Sequence, residues 1–339
     1  MTTSTASPPM IHALVFGKFL PFHLGHKALI DFARQHCDLL TVLVCVSDQE
    51  TTPSIVRTEW VRAEYKGAKD VQVQLYDYHE AELPNTSETS VAVAQVWAEV
   101  FRELVPTVSL VVTSEPYGVL VAQHLGIQYL DFDVPRQQVP ISASAIRADL
   151  RHHWFYLPAS VQAYYQRTVA ILGTESTGKT TLTQQLADHF GAACVLETAR
   201  DLIADSSDLS LADLYAVAEA HAQRIAPLRP GAGPLLLLDT DVHITQSYAR
   251  FMGKELLALA PEVYALNRAN LYLYLLPDVL FVQDGTRLPA ADRHRLDEAH
   301  RQTLTHFGIQ YQEVGGAWAE RFALAVQLIE QLLELAARA

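Results

Sequence analysis

The 339-residue chain is short of cysteine, of cationic side chains and of long apolar runs, and each shortage closes off a class of protein. Its three cysteines, Cys37, Cys45 and Cys194, are odd in number and lie far apart in apolar surroundings. They supply neither a disulfide framework nor a metal cluster, and they suit a reducing compartment. Lys and Arg total 25 against 38 Asp and Glu, a formal net charge of −13. A protein that coats DNA or RNA needs surplus cations to displace counterions, so nucleic acid is not an expected partner. The longest apolar stretch, Leu271 to Val282, is broken by Pro277 and Asp278 and is too short to cross a bilayer. The opening MTTSTASPPM lacks both a basic start and an apolar centre, so it reads as a frayed tail rather than an export signal. A cytoplasmic protein without membrane insertion is expected.

Half of the residues are hydrophobic, enough for the cores of about two domains. In the first half HALVF (12–16), LLTVLVCV (39–46), VQVQLY (71–76) and VSLVVT (108–113) read as buried strands. Segments 25–37, 57–67 and 88–104 between them carry apolar residues at helical spacing. The pattern restarts at Thr168 with TVAILG (168–173), ACVLE (193–197), PLLLLD (234–239), LYLYLL (271–276) and GIQYQEV (308–314). Alternation of this kind predicts α/β architecture, two doubly wound parallel sheets with helices on both faces. The expected boundaries are a domain at 11–150, an aromatic-rich helical connector at 151–167, and a domain at 168–339.

Gly173-Thr-Glu-Ser-Thr-Gly178-Lys179-Thr180 matches G-x-x-x-x-G-K-[ST] and lies between a strand and a helical segment, where its mechanism requires it. Backbone N–H groups turn inward around a β-phosphate, and the helix N-terminus adds its dipole. Lys179 is then placed for the β- and γ-phosphates and the Thr180 hydroxyl for Mg²⁺. Asp239 ends a buried strand, where a carboxylate can hold the Mg²⁺ shell. Asp241 follows two residues later. One of the two aspartates is the metal-shell acid and the other a base or substrate hydroxyl acceptor, unless Asp241 simply caps the next helix. Glu197 and Arg200 follow the second strand, at the carboxyl edge where such sheets bind ligands. Arg287, Arg293 and Arg295 fall after the fourth strand, as a phosphate lid or as a solvated face, with Arg287 the stronger lid candidate.

The first half carries its own constellation. GKFLPFHLGHKALIDF places His23-Leu24-Gly25-His26 directly after the first strand. Two imidazoles at i and i+3 on an opening helical turn project to one side. Gly25 admits a phosphate to the backbone, and N–H donors there stabilise charge on a leaving pyrophosphate. A zinc pair is the rival reading, but it lacks a third ligand. Further on, Ile141-Ser142-Ala143-Ser144-Ala145-Ile146-Arg147 sets two hydroxyls and a guanidinium at another helix start, for phosphate or as a plain cap.

H-x-G-H with ISxSxIR resembles the nucleotidyltransferase superfamily, a Rossmann-like fold. The order H-x-G-H, ISASAIR, aromatic connector, VAILGTESTGKTT resembles the bifunctional nicotinamide-nucleotide adenylyltransferase/ribosylnicotinamide kinases, the NadR-like family. SEPYG (114–118), ETARD (197–201), LLDTD (237–241) and DGTR (284–287) are similar to that family as well. About ten residues precede the first strand, so the DNA-binding module of some members is not implied. Ala143 and Ala145 stand where a Gly and a Lys are common in the family.

The resemblance implies two reactions. The P-loop kinase domain phosphorylates nicotinamide riboside with ATP to NMN, with Asp239 or Asp241 aligning the 5′-hydroxyl. The first domain adenylylates NMN with a second ATP to give NAD and pyrophosphate. Its ATP would be held by Gly17, Lys18, Phe19, His23, Gly25, His26, Ser142, Ser144 and Arg147. The kinase ATP would be held by Gly173, Glu175, Ser176, Thr177, Gly178, Lys179, Thr180, Thr181 and Arg287. Substrate contacts would come from Trp60, Glu197, Arg200 and Asp241, with Trp60 either stacking on nicotinamide or filling the core. Mg²⁺ would sit at Thr180 and Asp239. The implied partners are nicotinamide riboside, NMN, NAD and ATP, and a homo-oligomer is compatible with the sequence. The alternative is a riboside kinase whose first domain is a weak or inactive adenylyltransferase that senses NAD.

Overall fold

The computed structural model describes residues 10–84, 90–203, 209–229, 232–279 and 292–338. The chain divides into two compact units, one ending at Val161 and the other beginning at Gln162. Each is an α/β unit around a five-stranded, wholly parallel sheet.

In the first unit the chain runs β1 (His12–Gly17), α1 (Leu24–Arg34), β2 (Leu39–Ser47), α2 (Ser54–Glu64) and β3 (Val71–Tyr78). It continues through α3 (Val91–Leu104), β4 (Leu110–Thr113), α4 (Gly118–Leu125), β5 (Gln128–Asp131) and α5 (Ala143–Ala148) to α6 (Ala159–Tyr165), where the division falls. The strand order is β3-β2-β1-β4-β5. Central β1 is buried on both faces. Leu14 and Phe16 join a core with Trp97 and Phe101 of α3, and Ala13 and Val15 face the other way. Connections run to one side from β1 to β3 and then cross to β4, so a crevice opens at the carboxyl end of β1, where the histidine motif lies.

The second unit runs β6 (Arg167–Gly173), α7 (Lys179–Phe190), β7 (Ala193–Val195), α8 (Ala199–Leu202), α9 (Leu211–Ile225) and β8 (Leu235–Asp239). It ends with α10 (Val242–Phe251), α11 (Pro261–Asn267), β9 (Leu271–Leu275), α12 (Arg293–His306), β10 (Gln312–Val314) and α13 (Trp318–Arg338). The order is β10-β9-β6-β8-β7, again with the first strand central. Val169, Ile171, Leu235, Leu237 and Leu273 pack on one side with Leu182 and Leu186 of α7, while Ala170, Leu172, Leu236, Leu238 and Tyr274 pack on the other. No helix among the described residues is long and apolar enough to cross a membrane.

Three details depart from expectation. Strand β5 was not foreseen. It is a four-residue edge strand whose ends, Gln128 and Asp131, are exposed, so it has no apolar run to announce it. The strand expected over 308–314 shrinks to Gln312–Val314, because Gly308 (φ +67°) and Ile309 instead close helix α12 by donating to the carbonyls of Thr305 and Leu304. Strand β7 stops at Val195, two residues early.

Candidate active sites

In the first unit His23 is the N-cap of α1. Its Nδ1 accepts the backbone N–H groups of Gly25 (3.1 Å) and His26 (3.4 Å). An Nδ1 that accepts carries no proton, so the neutral ring is the Nε2–H tautomer and keeps one donor. Gly25 is required at this turn: a Cβ there would come within 3.0 Å of the His23 ring. The His23 and His26 rings stack at 3.7 Å and 22°, and Phe22 and Phe19 pack on the far side and edge of His26. Both histidines line a cavity of about 390 Å³ with Gly25, Ser114, Glu115, Arg136, Ser142 and Ser144. Burial pushes the His23 imidazole down to about 3, and the Arg136 guanidinium pushes the same way. His26 is lowered by burial and then by its two neighbours His23 and Arg136. Both rings are therefore neutral near pH 7 and act as donors rather than as standing cations. The buried Nδ1 of His26 has no protein hydrogen-bond partner.

The second motif joins this cavity. Ser142 caps α5 by accepting from Ala145 N (3.1 Å), so the plain capping reading is correct for its backbone contact, although Ser142 also lines the cavity. Arg147 donates to the carbonyl of Leu20, in the loop before His23, and to Ser144 Oγ (3.3 Å). That ties the two motifs together. Lys18, just after β1, pairs with Glu50 (2.9 Å), which also receives the fully buried Arg57 (2.5 Å).

In the second unit the phosphate loop turns through three left-handed residues, Gly173 (φ +139°), Ser176 (φ +61°) and Gly178 (φ +89°), and delivers Lys179 to the start of α7. Lys179 Nζ lies inside the loop and donates to Thr174 O (3.2 Å), as does Thr177 Oγ1 (2.8 Å). Thr180 Oγ1 donates to Asp239 Oδ2 at 2.6 Å, and Asp239 is wholly buried at the end of β8. Asp241 is engaged elsewhere. Its Oδ1 accepts from His243 N (3.0 Å) and Ile244 N (3.1 Å) as the N-cap of α10, and its Oδ2 meets His243 Nδ1 at 2.5 Å. Of the alternatives for Asp241, the structure shows the cap: its carboxylate closes the N-terminus of α10 and is braced by an imidazole.

A cytidylyltransferase-like family matches residues 14–149, and an AAA domain family matches residues 168–321. The chain is similar to the trifunctional NAD biosynthesis/regulator protein NadR of Escherichia coli, with 28% identity over 94% of this chain and 83% of that protein. The same figures relate it to the protein of that name from Salmonella typhimurium. A solved NadR protein in complex with NR superposes with a TM-score of 0.60 at 21% identity, covering 95% of this chain and 96% of that one. The chain is thus similar to NadR proteins along nearly its whole length.

Against the set of residues expected for a NadR-like protein, the structure brings His23, Gly25, His26, Ser142 and Ser144 to one cavity, and Lys179, Thr180 and Asp239 to one loop. Trp60 is only 3% exposed in α2, so of its two readings the core one is correct. Phe19, at 1%, packs behind His26 and offers no face to a ligand. Gly17 closes β1 beside the same crevice. Glu175 accepts from Tyr248 OH (3.2 Å), and Thr181 is exposed one residue past Thr180. Glu197 stands past β7, close enough to His221 and Tyr248 to act on both electrostatically. Arg287 and the side chain of Arg200 lie outside the described residues. Arg293 donates to Val279 O and Arg295 pairs with Asp292 (2.8 Å).

Four residues beside these two candidate sites had no signal in the sequence. Arg136, from the loop after β5, lines the histidine cavity and pairs with Glu115 (2.9 Å). Arg321 of α13 is fully buried and donates to Thr177 O (3.2 Å), Leu276 O (3.2 Å) and Asp278, bracing the phosphate loop from behind. His221 of α9 sits by Thr198 (3.1 Å), and buried His300 of α12 lies near Lys179 with its Nδ1 2.5 Å from Ser247 Oγ. Lone Arg and His residues fit no spacing rule, and only the fold reveals them.

Proposed function

We propose that this chain is a bifunctional enzyme of NAD biosynthesis, carried by one observation: two separate phosphate cradles, each at the carboxyl end of the central strand of its own parallel sheet. The second unit phosphorylates the 5′-hydroxyl of nicotinamide riboside with ATP, and the first joins the resulting NMN to the adenylyl group of a second ATP.

In the first unit the nucleophile is already a phosphate anion, so no protein base is needed. The His23 Nε2–H, the His26 ring and the N-terminus of α1 stabilise charge as pyrophosphate departs. Arg147, held by Leu20 and Ser144, is at hand for the outer phosphates. In the second unit Lys179 exchanges Thr174 O for the β- and γ-phosphate oxygens. Thr180 and Asp239 form a hard oxygen pair suited to Mg²⁺, which takes few protein ligands and keeps its waters. Mg²⁺ bound there would neutralise charge across the β- and γ-phosphates. With Asp241 held as a cap, catalysis rests on alignment and charge neutralisation. A loose phosphoryl-transfer transition state allows this.

The test is incubation with nicotinamide riboside and Mg-ATP while following ADP, pyrophosphate and NAD together. All three should accumulate, with pyrophosphate and NAD in equal amounts. ADP without pyrophosphate would leave a kinase joined to a nucleotide-binding unit. Ala143, which lines the histidine cavity where a Gly is common in the family, is the feature that favours that outcome.

A further inference from the structure

Three of the four tryptophans, Trp60, Trp97 and Trp154, lie in the first unit and are at most 3% exposed. The fourth, Trp318, opens α13 in the second unit and is 36% exposed. An indole left this open is nevertheless held in place. Its Nε1–H donates to Gln185 Oε1 of α7 (3.1 Å). Its six-membered ring abuts Gly178 so closely that a Cβ there would fall 2.7 Å from Cζ3. The ring thus leans on the turn that cradles phosphate, and it lines a cavity of about 390 Å³ with Gln185, Asp188, Ala319 and Phe322.

We infer that Trp318 is the stacking platform for the purine base of the nucleotide whose phosphates enter the loop at 173–180. This rests on the kinase reading above. A flat indole offers no cation to a phosphate, but it matches the π-face of a base. Phosphates and base are the two ends of one ligand, and Gly178 joins their two binding surfaces. The Asp188 carboxylate at the cavity rim adds an acceptor for an exocyclic amino group. Gly178 therefore serves twice, through its left-handed φ and through the space it leaves for the ring.

Tryptophan emission of the whole chain tests this, read against ADP and against inorganic pyrophosphate, which can fill the loop but carries no base. ADP should quench wild type and pyrophosphate should not, and the ADP response should be lost in Trp318→Phe. In riboside phosphorylation, Trp318→Ala should raise the KM for ATP about tenfold with little change in KM for the riboside. Trp318→Phe, which keeps an aromatic face, should stay near wild type. Equal quenching by pyrophosphate, an undiminished ADP response in Trp318→Phe, or an unchanged KM for ATP in Trp318→Ala would overturn the inference. If wild type fails to phosphorylate the riboside, the kinase reading falls, and the emission titrations still decide for or against Trp318.

Discussion

In the second unit the cradle is made of backbone: Gly173, Ser176 and Gly178 hold left-handed angles, and the loop wraps the Lys179 ammonium, which donates to Thr174 O. In the first unit it is made of side chains, with His23 locked as a cap, His26 stacked on it, and hydroxyls and guanidinium groups converging from residues over a hundred positions away. A backbone cradle tolerates varied side chains but depends on a few glycines and one lysine. A side-chain cradle depends on distant segments arriving together, so each of its members is individually replaceable and individually weaker.

That contrast can be broken most sharply at Lys179. Lys179→Ala should lower riboside phosphorylation by about 10³-fold and leave NAD formation from NMN intact, measured as ADP and NAD release in separate assays. His26→Ala should do the reverse, costing about 10²-fold in NAD formation while sparing phosphorylation. Loss of both activities in either variant would merge the two sites. Asp241→Asn comes next: an Asn keeps the N-cap, so kinase turnover should fall less than about tenfold. A general base would cost about 10²–10⁴-fold at that position, so a drop of that size would assign Asp241 to the chemistry.

The smallest effect concerns acid. Each unit buries an imidazole lowered from 6.5 to about 3, His23 in the first and His300 in the second. Below pH 6.5 the unfolded chain takes up these protons and the folded chain does not. Stability is thus fully present above that pH and is lost as the pH falls towards 3, by about 1 kcal/mol per pH unit for each ring. Urea unfolding at pH 7, 6 and 5 should show this slope. His300→Gln should flatten it for the second unit alone, and an identical slope in that variant would remove His300 from the account.

Both phosphate motifs were legible because each is a contiguous run between a strand and a helix, where backbone geometry follows from local sequence. The dual role of His23 was half legible: its place before Leu24 marks a helix start, but which nitrogen caps and which donates emerges only from the ring's orientation. Trp60 shows the converse. Its sequence context allowed a ligand face or a core face, and packing in α2 decided for the core. Asp241 was read as a cap or as a cleft acid, and the fold shows the cap contacts together with the His243 ring that braces them.

By itself the sequence determined two parallel α/β units, each with a phosphate-binding turn after its first strand, because hydrophobic period and glycine placement act over short stretches of chain. The tertiary structure alone decided that Arg136 faces the histidines, that Arg321 braces the loop, and that Trp318 leans on Gly178. Those contacts join residues far apart in the chain, and a side chain's charge, burial and partners are properties of the space the fold encloses.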